Sequence, residues 1–138
     1  MDKNDFTSKS IEELENDYWK EPEFKSGLTM ICYRARKKRI NELNEDEICT
    51  LIRQNIGLKY LLPVAVKKFA EYMNNINDFY LSGLLDTLLN LDNNQWINNK
   101  EQKEKFIMNL YDSLSNLNEE YFEKSDNYLR NISGINKE

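Results

Sequence analysis

A chain of 138 residues with a formal net charge of −5 has room for one folded domain, and its acidity excludes a general nucleic-acid binder, which needs basic surface. With 40% apolar and 31% charged residues, only four glycines and two prolines, it excludes both a disordered chain and a turn-rich sheet protein. It also contains no histidine, which removes the commonest general base and metal ligand at neutral pH.

Residues 1–9 are polar and are expected to be a flexible N-terminus, followed by a single helical domain over 10–138. Ser10-Ile11-Glu12-Glu13 has the spacing of a capping box and opens a short helix to about residue 17, with Ile11 and Leu14 inward and Trp19 closing its end. A second helix is predicted over 26–38, with Leu28, Ile31, Cys32 and Ala35 as its buried stripe. Its basic end, Arg34 to Arg39, complements the helix dipole and the acids that follow. Asn44 with Glu47 caps a third helix, whose inner face is Ile48, Leu51 and Ile52 and whose stop is Gly57. Pro63 suits the first turn of a fourth helix over 61–73, and the apolar corner from Leu51 to Val66 is expected at the centre of the core.

A turn at Asn74-Asn75-Ile76-Asn77 leads to a fifth helix, capped by Asn77 or Asp78 and running to Leu89. Residues 91–99 read as an Asn-rich connection. A sixth helix over 100–116 buries Phe106, Ile107, Leu110 and Leu114, and a last one spans 118–132. The fold class is therefore all-α, one compact domain of six to seven short helices. No secretory signal or membrane-length apolar run is present, so a cytoplasmic protein with reduced Cys32 and Cys49 is expected.

No residue pattern supports catalysis, a metal or a cofactor. There is no phosphate loop, and two cysteines make at most half a zinc site. The acids at the N-terminus could pair as acid and base, but a solvated acidic face is the simpler reading. Binding is the better expectation. The basic cluster Arg34 to Arg39 could hold RNA or phosphate, but a helix end paired with Glu42, Glu45, Asp46 and Glu47 is the simpler reading. Two surfaces remain for a protein partner. One is the strip Glu12, Glu13, Glu15, Asp17, Trp19, Glu21 and Glu23, with Tyr18 interleaved; the other is Trp96 and Tyr111 with Glu119, Glu120, Tyr121, Glu123 and Asp126. In both, aromatic side chains can anchor while carboxylates steer a basic partner. The competing reading for Trp19 and Trp96 is packing on the core.

A resemblance sharpens this. Ser10-Ile11-Glu12-Glu13-Leu14-Glu15 with Trp19, then Arg36-Lys37-Lys38, Ile40 and Glu42-Leu43, resembles immunity proteins of bacterial contact-dependent growth inhibition systems, the CdiI type. The most specific part is Gln54-x-Ile56-Gly57-Leu58-x-Tyr60-Leu61-x-Pro63-x-Ala65, and Leu84-Leu85 extends the likeness to about residue 89. Arg39 stands where the pattern has Pro, and Ser82-Gly83 where it has Gly-Asp. The resemblance implies a non-enzymatic protein that binds the C-terminal toxin domain of a secreted exoprotein as a 1:1 complex. It would protect the cell from sister cells by covering the toxin's active site or substrate-holding surface. A basic toxin such as a nuclease suits the acidic chain, with no direct nucleic-acid or membrane contact. The alternative is a small helical adaptor for another basic partner. Specificity for one toxin is expected where the chain leaves the shared scaffold, after residue 92.

Overall fold

The computed structural model describes residues 6–23, 26–75 and 81–132. Among them are eight α-helices: α1 Ile11–Glu15, α2 Gly27–Lys37, α3 Glu45–Arg53, α4 Leu58–Asn75, α5 Leu81–Leu89, α6 Asn93–Trp96, α7 Lys100–Ser113 and α8 Glu119–Ile132. The only β pairing among these residues is an isolated bridge between Ser10 and Arg39. The chain is all-α. Its backbone clusters into two compact units, Met1–Leu61 and Leu62–Glu138, with the boundary inside α4.

In the first unit α2 packs against both α1 and α3. Both predicted capping boxes form. Ser10 Oγ accepts the Glu13 N–H (3.2 Å) and Glu13 Oε1 accepts the Ser10 N–H (2.9 Å). Asn44 Oδ1 accepts the Glu47 N–H (2.8 Å) and Glu47 Oε1 the Asn44 N–H (2.9 Å). The buried side chains Ile11, Ile48, Leu51, Ile52 and Leu61 are fully excluded from solvent and form the centre of this unit.

Three expectations are corrected here. α3 ends at Arg53, before Gly57, and the first left-handed residue after it is Asn55 at φ 63°. Gly57, at φ 66°, instead heads α4: its carbonyl accepts the N–H groups of Tyr60 (3.0 Å) and Leu61 (2.8 Å). The helix therefore starts at Leu58, which moves Pro63 from the first turn into the interior, where its ring removes the bond to the Lys59 carbonyl. The start is fixed by Gly57, so local proline preference yields to it. α4 also continues to Asn75, so Asn74 and Asn75 are helical and not a turn. The proposed caps Asn77 and Asp78 lie outside the described residues.

The third correction concerns α2. Cys32 and Ala35 are buried as expected, but Leu28 and Ile31 are 48% and 45% exposed, and Arg36 takes the remaining inward position at 1% exposure. The stripe is rotated because Arg36 has partners distant in sequence.

In the second unit the core forms around Phe106. Phe69 meets its ring edge-on at 5.3 Å, Trp96 stacks on it at 6.0 Å, and Tyr128 approaches edge-on at 5.7 Å. The segment 91–99 is not a plain connection. Asp92 and Gln95 form a capping box that starts α6, and this turn delivers Trp96 into the core. The residues 114–116 tighten into a 3₁₀ turn before Asn118 Oδ1 caps α8 by accepting the Tyr121 N–H.

Burial pushes the Tyr128 phenol up to about 12, against which a bond from the Trp96 indole works only weakly, since neither group reaches good hydrogen-bond geometry. An unfolded phenol ionises near pH 10. The stabilisation is thus complete below about pH 10 and is lost as pH rises towards 12, where the unfolded chain has already released the proton. Absorbance at 295 nm should show a tyrosinate component near pH 12 that Tyr128→Phe removes. That variant should also flatten the fall in urea midpoint over the same window.

Candidate protein–protein interface

The N-terminal acidic strip is built by a very short helix with an abrupt end. Asn16 adopts the left-handed conformation (φ 53°) and α1 stops there. Residues 17–23 then run as irregular chain across Arg36. The Arg36 guanidinium Nη2 donates to Glu15 Oε1 and to the Asp17 carbonyl, both at 2.9 Å, and the Trp19 ring covers its carbon at 4.2 Å. Its Nε and Nη1 are buried without a partner. Beside it, Lys37 Nζ reaches both oxygens of the buried Glu12 carboxylate at 3.3 Å.

The strip is thereby sorted into two kinds of residue. Glu12 and Glu15 are ion-paired to α2, Glu13 caps its own helix, and Trp19 roofs Arg36. The backbone bond from Ser10 holds the Glu13 carboxyl below its usual range. Facing solvent are Asp17, Tyr18, Glu21 and Glu23, with Tyr18 59% exposed. Asp17 also stands 3.9 Å from the Arg36 guanidinium, and the exposed Lys20 lies among these acids.

The second predicted surface is divided in the same way. Trp96 is corrected: at 2% exposure, stacked on Phe106, it belongs to the core and offers no contact area. On α8, Glu119, Glu120 and Glu123 are exposed. Glu120 pairs with Lys124, which also holds Asp86, and Asp126 accepts from Arg130 Nε at 2.9 Å. Glu119 and Glu123 keep their charge unpaired among the described residues.

Two further apolar surfaces are exposed, and of their residues only Tyr111 belongs to the binding candidates read from the sequence. One is Leu28 and Ile31 on α2. Ile31 lines an open cleft of about 340 Å³ with Arg34, Lys38, Asn44, Asp46, Glu47 and Thr50. Within it Lys38 Nζ is 2.6 Å from Glu47. Burial pushes the Glu47 carboxyl up, but the bonds from Lys38 and Asn44 outweigh it and leave the group below its usual range. The other is Met108 and Tyr111 on α7, at 66% and 55% exposure. Only the second has a signal in helical phase. Once Phe106 and Leu110 are placed inward, positions 104, 108 and 111 must point away.

No group of three or more Cys, Asp or Glu side chains among the described residues is placed to hold a metal ion. No helix among them is long and apolar enough to cross a membrane. What the geometry offers is exposed aromatic side chains beside exposed acids.

The family of CDI immunity proteins matches residues 13–106, which carry α1 from its third residue through the first half of α7. No curated protein and no solved structure gives a significant match. With most of its length matched, the chain belongs to the CDI immunity protein family.

Proposed function

We propose that this protein neutralises one cognate toxin domain, the C-terminal part of a contact-dependent growth inhibition exoprotein, by binding it 1:1 in the cytoplasm and without turnover. The family match over residues 13–106 carries this reading. The surface chemistry supports it. A net charge of −5 suits a toxin with basic surface, such as a nuclease that must hold a polyanion. The exposed acids Asp17, Glu21, Glu23, Glu119 and Glu123 would steer the encounter, while Glu12, Glu13 and Glu15 serve mainly to build the scaffold. Blocking a toxin needs an interface of roughly 1,600 Å² in total, with a few dominant anchors.

The test is direct. The C-terminal domain encoded by the exoprotein gene immediately upstream is purified and its association with this protein is followed by biolayer interferometry. Binding in the nanomolar range or tighter is expected. The association rate should fall about tenfold or more between 50 and 500 mM salt, because screening removes the steering field. No binding would overturn the reading, and a salt-independent rate would overturn electrostatic steering.

A further inference from the structure

α7 presents two opposite faces. Phe106, Leu110 and Ser113 are buried, whereas Glu104, Met108, Tyr111 and Asp112 all face solvent. Met108 is 66% and Tyr111 55% exposed, and residues three apart are neighbours on a helix surface. Glu104 lies one turn before Met108 and Asp112 one turn after it. Among the described residues neither carboxylate has a hydrogen-bond or ion-pair partner. The nearby Lys105 is already engaged by Glu101 at 3.6 Å.

A single exposed apolar residue needs no explanation. Here two adjacent ones lie between two carboxylates without partners, whereas α1 has Glu12 and Glu15 paired; α8 sets Phe122 between Glu119 and Glu123, but at 41% exposure it is a single and less exposed apolar group. The residue types also fit. Tyrosine is a frequent hot-spot anchor with few rotamers to freeze, and methionine adapts to an irregular partner surface. The charge selects the occupant. A second copy of the chain would bring like carboxylates together, while a surface with Lys or Arg around an apolar depression would neutralise them.

We infer that the outward face of α7, Met108 and Tyr111 flanked by Glu104 and Asp112, is the anchor by which this protein grips a basic surface of its toxin. The inference rests on the reading of the chain as a toxin-binding immunity protein and adds the place of contact. Three of the four residues lie beyond residue 106, where the family match ends. That is where one immunity protein can differ from its relatives and so reject their toxins.

The experiment uses the full chain and the purified C-terminal domain encoded upstream. The double variant Met108→Ala/Tyr111→Ala should weaken binding about 30-fold or more, chiefly through faster dissociation. Glu104→Lys/Asp112→Lys should slow association about tenfold at low salt, and the difference should fade at high salt. Both should keep the circular dichroism and melting temperature of the parent, since the altered side chains are exposed. If the parent binds and both variants bind with parental rates, the α7 site is overturned and the immunity function stands. If the parent itself fails to bind, the function falls and the site with it. A parent dimer in sedimentation that Met108→Asp breaks would also overturn the proposal, in favour of a second copy as occupant.

Discussion

Replacing Arg36 by alanine should destabilise the protein by about 2–4 kcal/mol, while replacing it by methionine should cost less than half as much. Arg36 is 1% exposed, and the alanine variant loses its bonds to Glu15 and the Asp17 carbonyl as well as its stacking under Trp19. Breaking a buried charge pair from one side typically costs about 3–5 kcal/mol. That figure is an upper bound here, because the Glu15 side chain is 34% exposed and can rehydrate once released. Methionine differs in one respect that matters. Arg36 buries Nε and Nη1 without partners, and an orphaned buried donor costs roughly 1–3 kcal/mol. Methionine keeps the apolar stem to about the position of Nε, short of the guanidinium carbon under Trp19, and it removes those donors. Urea denaturation of the two variants decides the matter: equal losses would mean that the guanidinium charge itself, and not its volume, holds residues 15–19 in place. Arg36 also fixes the loop that carries Tyr18 and the acids beside it, so on the proposed function the alanine variant should weaken toxin binding as well.

What could be read from the sequence divides along the range of the interactions. Ser10–Glu13 and Asn44–Glu47 are pairs three residues apart, and both capping boxes form where local spacing places them. The all-α class follows from the same kind of signal. The α2 face was misread because its true occupant, Arg36, is buried by partners about twenty residues away, and no periodicity in 26–38 announces them. Trp96 was legible in retrospect: Asp92-x-x-Gln95 is a helix start, and a helix there turns the indole inward. The candidate surface was half legible. Acidity and the presence of aromatics were plain, but which carboxylates are consumed internally depends on Arg36, Lys37 and Lys124 reaching Glu15, Glu12 and Asp86 in space. At Arg39 the departure from the family's proline is harmless to the backbone, since its φ of −61° is the angle a proline ring would impose.

Gly57→Ala should cost about 2–5 kcal/mol, the largest effect expected of a glycine-to-alanine change among the described residues. Two independent terms combine. At φ 66° an L side chain pays a left-handed penalty of roughly 1–2 kcal/mol. A Cβ there would also lie 2.8 Å from Ile11 Cδ1 and 3.2 and 3.3 Å from two further atoms of that side chain. Ile11 is fully buried, so it cannot swing aside, and overpacking of this kind costs about 1–3 kcal/mol. The terms separate experimentally. Ile11→Val deletes the Cδ1 methyl, so Gly57→Ala/Ile11→Val should be less destabilised than the sum of its single variants by about 1 kcal/mol. Strict additivity would show that the clash is absent and that Gly57 is needed for its φ alone. Either way, the glycine at the heart of the motif that first suggested the family has a physical reason to be there: it lets α4 begin while the chain lies directly against α1.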